Sequence, residues 1–154
     1  MTSSVQKVDA ALKAAGITAS IRELPVSTRT ALDAASALDC HVSQIAKSII
    51  FEGCHSGRPI LVIAGGQRRI DEAKVATYIG EPIKKASADF VRTKTGFVIG
   101  GVAPVGSAPP IVTIFDRELL KLEYVWIAAG TPNSVCKLSP EEVCKASGAI
   151  PADL

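Results

Sequence analysis

Two short apolar segments joined by a polar loop constrain the fold of this chain more than any other feature. Residues 47–51 read KSIIF and residues 59–64 read PILVIA, and both are rich in side chains that favour strands. Residues 53–58 between them have the length and composition of a hairpin loop. A hairpin makes its two strands antiparallel, whereas helical crossovers elsewhere in the chain suit parallel strands. The sequence therefore predicts the α/β class with a mixed sheet.

Helix signals recur along the rest of the chain. Apolar residues at positions 5, 8, 12 and 15 have helical spacing, and Gly16 follows as a C-terminal cap. Four more predicted helices begin at the N-cap residues Thr30, Asp71, Ser87 and Ser139. Further strands are predicted at residues 21–24, 111–115, 124–129 and 135–138, and single helical turns at residues 42–46 and 117–120. The chain has no internal repeat and no linker-like segment, so we expect a single domain over residues 1–154.

The composition is that of a folded, water-soluble protein. Of the 154 residues, 47% are hydrophobic and 21% are charged, which favours a full core over disorder. The longest apolar runs, residues 60–64 and 124–129, are far shorter than the roughly 20 residues of a membrane span. The first ten residues lack the apolar segment of a secretory signal. We therefore expect a cytoplasmic protein that does not associate with membranes.

The cysteines allow two interpretations. Positions 40, 54, 136 and 144 carry the four cysteines, and no two of them form a Cys-x-x-Cys pair. The dipeptide Cys-His occurs at Cys40-His41 and again at Cys54-His55, which admits a zinc site, although zinc ligands usually lie in tighter pairs. We favour reduced, mostly buried thiols, no bound metal and no Cys–His nucleophile, because neighbours in sequence do not normally face each other for catalysis.

The net charge of +2 is unevenly distributed. Residues 67–94 contain seven basic and four acidic residues, a local charge of +3, so the remainder of the chain carries −1. A basic segment of this kind is compatible with phosphate contacts at the end of a nucleic acid. A solvated surface without a partner is the alternative.

The candidate site combines one lysine with two loops rich in glycine and proline. Lys47 stands at the head of an apolar strand, where its ammonium can reach a pocket mouth and meet a phosphate or carbonyl oxygen. The alternative is an exposed lysine that protects a strand edge. Residues 100–106 (GGVAPVG) and 130–132 (GTP) are suited to presenting backbone N–H groups to a ligand. Neither loop has the spacing of a nucleotide-binding motif, so the site is predicted to work by shape and oriented dipoles.

Taken together, these motifs resemble a known family over nearly the whole chain. They are Lys47-Ser48 at the strand head, GFVIGGVAPVG at residues 96–106, IVTIFD at 111–116, AAGTPNS at 128–134 and LSPEE at 138–142. This order is similar to that of the YbaK/EbsC family of trans-editing aminoacyl-tRNA deacylases, and to the editing insertion of bacterial prolyl-tRNA synthetases. The resemblance implies a barrel-like mixed sheet packed by helices, and hydrolysis of the ester between a wrong amino acid and its tRNA.

The resemblance also implies a set of site residues. Lys47 would hold the terminal nucleotide or the aminoacyl group, and Ser48 follows it as a further substrate-binding residue. Two loops complete the implied site: Gly100, Gly101, Pro104 and Gly106 beside the substrate carbonyl, and Gly130, Thr131 and Pro132 around the amino-acid pocket. Ala103 stands where relatives often carry Cys or Ser, so the residue that the pocket accepts is left open.

The implied reaction needs neither a protein nucleophile nor a cofactor, and no metal. The expected partner is the 3′ end of a mischarged tRNA, most simply tRNA for proline carrying alanine or cysteine, with prolyl-tRNA synthetase as a second partner and a monomer or homodimer as the assembly. Two alternatives stay open: a module that binds aminoacyl-tRNA or a synthetase without hydrolysis, and a metal-dependent hydrolase built on the Cys-His pairs.

Overall fold

The computed structural model describes residues 3–28, 30–107 and 109–154. Its helices are α1 (Ser3–Ala14), α2 (Ala31–Leu38), α3 (Glu72–Ile79), α4 (Ala88–Thr95) and α5 (Pro140–Ser147). Its strands are β1 (Ile21–Glu23), β2 (Ala46–Gly53), β3 (Pro59–Gly65), β4 (Ile83–Lys85), β5 (Val112–Asp116), β6 (Val125–Ala128), β7 (Ser134–Leu138) and β8 (Ile150–Ala152). Short 3₁₀ helices cover Val42–Gln44 and Arg117–Lys121. None of the described helices has the length and apolarity of a membrane span.

Helices α2 to α5 start where the sequence predicts them, because each of these four is capped by the side chain of its predicted N-cap residue. The Thr30 hydroxyl accepts a hydrogen bond from the N–H of Asp33, and the Asp71 carboxylate accepts from two N–H groups of the first turn of α3. Ser139 and Glu142 form a reciprocal capping box at the start of α5. These bonds satisfy backbone donors that have no partner within the helix.

The strands form two sheets. The larger has the order β4-β2-β3-β5-β8, in which β2 is antiparallel to β3 and β4, while β3, β5 and β8 are parallel. This arrangement confirms the predicted mixed sheet. The smaller has the order β1-β7-β6 and is antiparallel.

The barrel-like closure that the resemblance implied is wrong. Among the described residues, the two sheets meet through backbone pairing at a single bridge, between Ile45 and Trp126. One bridge is not a ladder, so the sheets remain separate layers rather than a closed barrel.

Two strands and several element boundaries also differ from the sequence prediction. The edge strands β4 and β8 have three residues each and were not predicted. The helical turn predicted at residues 42–46 ends at Gln44, and Ala46 already belongs to β2.

One core cluster joins the two sheets and fixes the glycine-rich loop. It contains Ile63 and Phe115 of the larger sheet together with Ile127 of the smaller one. Val102 and Val105 of the loop are buried in the same cluster. The loop is therefore anchored to the core through its apolar side chains.

Candidate functional site

A cavity of about 430 Å³ opens between α2, the start of β2, the glycine-rich loop and β6. This volume is in the usual range for small-ligand sites. Its walls are mainly apolar, with Ala34 and Leu38 from α2, Val102 from the loop and Trp126 from β6. Among the described residues that line it, Lys47 is the only charged one.

Lys47 is held at this cavity by the backbone that follows β3. Its Nζ donates a hydrogen bond to the carbonyl oxygen of Gly66 at 3.4 Å and a second to that of Arg68. An ammonium group has three donors, so one N–H is left for a ligand. Burial lowers the pKa of the Lys47 amine from its usual 10.5.

Ser48 lies beside Lys47 on the cavity wall. Successive side chains of a strand point to opposite faces, so Ser48 points away from Lys47 and toward the face that carries Ala46 and Ile50. Its Oγ is buried and has no hydrogen-bond partner within the described part of the chain. Leaving a buried hydroxyl without a partner costs about 1–3 kcal/mol, so the serine at this position does not serve the stability of the sheet.

The two predicted loops contact each other beside the cavity. Gly100 lines the cavity with φ of 90°, a conformation that favours glycine, and a Cβ there would lie 3.7 Å from Cβ of Pro132. A Cβ on Gly101 would come within 2.7 Å of the Thr131 carbonyl carbon, so the backbones pack directly. The N–H of Gly101 donates to the carbonyl of Val98 at 2.9 Å. That N–H is therefore used in a turn.

The second loop is tied to the segment before α2. The Pro132 carbonyl accepts hydrogen bonds from the Thr28 N–H at 2.7 Å and the Thr28 hydroxyl at 2.5 Å. The hydroxyls of Thr131 and Ser134 are 2.5 Å apart. Thr28 itself lines the cavity, so this loop supports the cavity wall through a hydrogen-bonded neighbour.

Three of the predicted site residues lie elsewhere. Pro104 and Gly106 line a separate cavity of about 120 Å³, and a Cβ on Gly106 would approach the Lys7 backbone at 3.3 Å. Gly130 packs against the start of α1, where a Cβ would lie 2.7 Å from the Ser4 carbonyl oxygen. The structure thus brings Lys47, Ser48 and Gly100 to one cavity, with Gly101, Thr131 and Pro132 immediately behind it. The roles of all these residues stay predictions.

Sequence reasoning missed the residues of the opposite wall. Trp126 is the single tryptophan of the chain and alternates with buried Val125 and Ile127, so it lies on the opposite face of β6, where it packs against the cluster that contains Ala34. The α2 residues Ala31 and Ala34 also line the cavity. Nothing local distinguishes them from ordinary helix alanines, because only the packing of α2 across β6 gives them this position.

The cysteines and histidines are not arranged as a site. Within residues 3–28, 30–107 and 109–154, no group of three His, Cys, Asp or Glu side chains could hold a metal ion. Burial, with smaller effects from Glu142 and Asp9, raises the pKa of the Cys136 thiol to about 11. Nδ1 of His41 accepts the N–H of Ser43 as the cap of the first 3₁₀ helix. A thiol with a raised pKa is a poor nucleophile at neutral pH.

The chain matches a known protein family over most of its length. Residues 26–146 match the family model of the aminoacyl-tRNA editing domain. The chain belongs to the aminoacyl-tRNA editing domain family. This confirms the resemblance found in the sequence motifs, and it places α2, the lysine strand and both loops of the cavity inside the editing domain.

Similar proteins agree with this membership. A solved structure of a protein proposed to be a trans-editing enzyme for prolyl-tRNA synthetase superposes with a TM-score of 0.92 at 39% identity, covering 100% of this chain and 98% of that one. The uncharacterized protein YwhH of Bacillus subtilis is 33% identical over 127 residues, which are 82% of this chain and 80% of YwhH. The proline–tRNA ligase of Limosilactobacillus fermentum is 31% identical over 91 residues, which are 56% of this chain but 16% of the ligase.

Proposed function

We propose that this chain is a trans-editing hydrolase that deacylates mischarged tRNA. The observation that carries the proposal is the Lys47 ammonium, held by two backbone carbonyls at an apolar cavity of about 430 Å³ within an editing domain. Such a site suits a substrate with two parts: a small or apolar group that the cavity encloses, and an anionic or carbonyl oxygen that the cation binds.

The proposed reaction is hydrolysis of the ester between the amino acid and the terminal ribose. Water adds to the ester carbonyl carbon, the bond from that carbon to the ribose oxygen breaks, and the ribose oxygen takes up a proton. The remaining N–H of Lys47 binds either the developing oxyanion or the phosphate of the terminal nucleotide. Neither step requires a protein thiolate, which agrees with the raised pKa of Cys136.

The proposed substrate is tRNA for proline carrying a small wrong residue such as alanine or cysteine. The similarity to a proline–tRNA ligase, and to a protein proposed to edit for prolyl-tRNA synthetase, supports proline as the cognate amino acid. One missing methylene lets a synthetase discriminate between two amino acids by only about 1–3 kcal/mol. Small wrong residues are therefore the ones that a second, editing site has to remove. Prolyl-tRNA synthetase is the proposed protein partner, and the cytoplasm the proposed location.

The decisive experiment charges one tRNA for proline with alanine, cysteine, serine, threonine or proline, and measures single-turnover deacylation of each. We expect release of alanine or cysteine well above spontaneous hydrolysis, with prolyl-tRNA spared. Binding of the same tRNAs without faster hydrolysis of any of them would instead identify a non-catalytic binding module.

Lys47→Ala is the variant that links this activity to the cavity. Loss of a charge-assisted hydrogen bond should lower deacylation about 10- to 150-fold, corresponding to roughly 1.5–3 kcal/mol. Lys137→Ala is the matched control, because Lys137 is also a strand lysine but its Nζ lies over the ring of Tyr124 at 3.9 Å. Wild-type rates in the Lys47 variant would remove this residue from the proposed mechanism.

A further inference from the structure

Lys47 is held by the turn that follows β3, which borders the cavity at Gly66. The N–H of Arg68 donates to the carbonyl of Gly65 at 2.9 Å and closes the turn that follows β3. The Gly66 and Arg68 carbonyls of this turn are the two acceptors of the Lys47 ammonium. The position of Nζ is therefore set by the position of the turn.

One side of this turn is packed and the other is open. At Gly66 a Cβ would meet the Val42 carbonyl oxygen at 2.6 Å, so the backbone there is in close contact. On the other side lies a second cavity of about 300 Å³, lined by Gly65, Gln67 and Arg68. Packing alone does not restrain the turn on that side.

The Arg68 side chain spans this open side and reaches the larger sheet. Its Nε is 3.3 Å from Oδ2 of Asp116, and its Nη2 donates to the main-chain oxygen of Leu154. Asp116 ends β5, is 1% exposed, and uses Oδ1 to accept the N–H of Glu118 at 3.1 Å. The contact of Arg68 with Oδ2 is within ion-pair distance but misses hydrogen-bond geometry, so it is an ion pair without a directed hydrogen bond.

We propose that Arg68 and Asp116 are a positioning pair, which holds the turn that places the Lys47 ammonium at the cavity. Asp116 is fixed in the sheet, Arg68 is fixed to Asp116 by its side chain, and Lys47 is fixed to Arg68 by the backbone carbonyl. A buried carboxylate that loses its partner is strongly unfavourable, so the pair resists opening. This role rests on the proposed function of Lys47, and neither residue touches the substrate cavity itself.

The first test is a double-mutant cycle between Arg68→Ala and Lys47→Ala, measured by single-turnover deacylation of alanyl-tRNA for proline. Misplacing a catalytic group by about 1 Å can cost 10²-fold, so Arg68→Ala should lower the rate about 10- to 100-fold in the wild-type background. With Lys47 already absent, the same change should lower it less than about twofold. Arg68→Lys, which keeps a cation for Asp116, should recover most of the rate.

Arg117→Ala is the matched control for the cycle. Arg117 pairs with Asp153 at 3.1 Å and donates to the Pro151 carbonyl, so it also anchors the last strand with a guanidinium. We expect its rate to stay within about twofold of wild type. An equal loss from Arg68→Ala in both backgrounds would mean a general structural effect and would overturn the positioning role.

The second test does not depend on activity. In a crystal structure of Arg68→Ala, or of Asp116→Asn should the first variant not fold, Lys47 Nζ should have lost one or both contacts with the turn carbonyls. If both contacts persist, the proposal is wrong. If the wild-type protein deacylates none of the tRNAs, the proposed function fails while these structures still decide whether the pair positions Lys47.

Discussion

Gly101 is the residue at which the two loops of the site come closest. A Cβ there would lie 2.7 Å from the carbonyl carbon and 2.8 Å from the Cα of Thr131, and backbone atoms cannot rotate away as a side chain can. Even alanine must therefore push the loops apart. Because Pro132 and Thr28 are hydrogen-bonded behind this contact, the displacement would reach the cavity wall.

We expect Gly101→Ala to lower both stability and deacylation. Overpacking of this kind costs about 1–3 kcal/mol, and a shifted wall should reduce the single-turnover rate about tenfold or more. Gly57→Ala is the control: Gly57 has φ of 71° and a Cβ added there would meet nothing within 4 Å, so only backbone strain of about 1–2 kcal/mol is added. Urea denaturation and deacylation of the same preparations measure both effects. A Gly101 variant with wild-type values of both would show that the loops separate freely.

Among single residues, the sequence predicted those whose chemical character can be recognised without knowing which residues pack around them. Lys47 stands out as a cation in an apolar run, and Gly100 as part of a dense glycine segment. Pro104 and Gly106 belong to that same segment yet line a different cavity together with Val105, whose side chain is buried in the core cluster. Composition identifies such a loop, but the direction of each residue depends on what packs beneath it.

Among the elements, the hairpin of β2 and β3 has a tip fixed by one carboxylate. Glu81 Oε1 accepts the N–H groups of His55 and Ser56, each at 2.9 Å. Its Oε2 accepts the Ser56 hydroxyl at 2.8 Å and Nε of Arg58 at 3.1 Å. These bonds, chiefly those from Ser56, lower the pKa of Glu81 from 4.5 to about 2.

This shift predicts a specific pH dependence. Because the pKa is lower in the folded protein, the stabilisation from Glu81 is complete above about pH 4.5 and is lost as the pH falls toward 2. Glu81→Gln should therefore be less stable than wild type at pH 7, and the difference should shrink between pH 5 and pH 2. Urea unfolding at several pH values measures it, with Glu23→Gln, an exposed residue of β1, as the control. Parallel curves for wild type and the Glu81 variant would contradict the assigned bonds.

Long elements were predictable and short edge strands were not. Helix α5 carries its own start signal in Ser139-Pro140-Glu141-Glu142, so its position follows from local chemistry. Strands β4 and β8 contain only three residues each, and β8 includes Pro151, which weakens any strand pattern. They form because β2 and β5 each have an edge that can pair with a further strand. The pairing partner lies far away in sequence, so the residues of β4 and β8 do not themselves indicate a strand.

For the whole molecule, the cavity results from the way two sheets and α2 are packed together. Its walls come from residues about a hundred positions apart in sequence, such as Thr28 and Val135. Such packing carries no local signal, which is why the sequence predicted the lysine and the loops but not Trp126 or the alanine face of α2. The barrel-like closure failed for the same reason, since closure depends on whether β2 and β6 pair over several residues. A single domain over residues 1–154 stays a prediction.

The basic segment gives the last prediction, which concerns how the whole protein meets tRNA. Arg69 and Lys74 are exposed members of this segment, and Arg69 follows the turn that holds Lys47. If they contact phosphates, the logarithm of tRNA affinity should fall linearly with the logarithm of salt, by about 0.7–0.9 per contact. The double variant Arg69→Gln, Lys74→Gln should therefore bind more weakly and have a slope smaller by about 1.4–1.8.

Filter binding of uncharged tRNA for proline between about 50 and 200 mM salt measures this slope. The control is Lys13→Gln, Lys137→Gln, which removes the same charge at exposed positions outside the segment. If the slope decreases by the same amount in both double variants, net charge alone attracts the tRNA and the segment has no special part in docking. If only the first does, the basic segment lies along the tRNA backbone, and the 3′ end is guided toward the Lys47 cavity from the side of the turn.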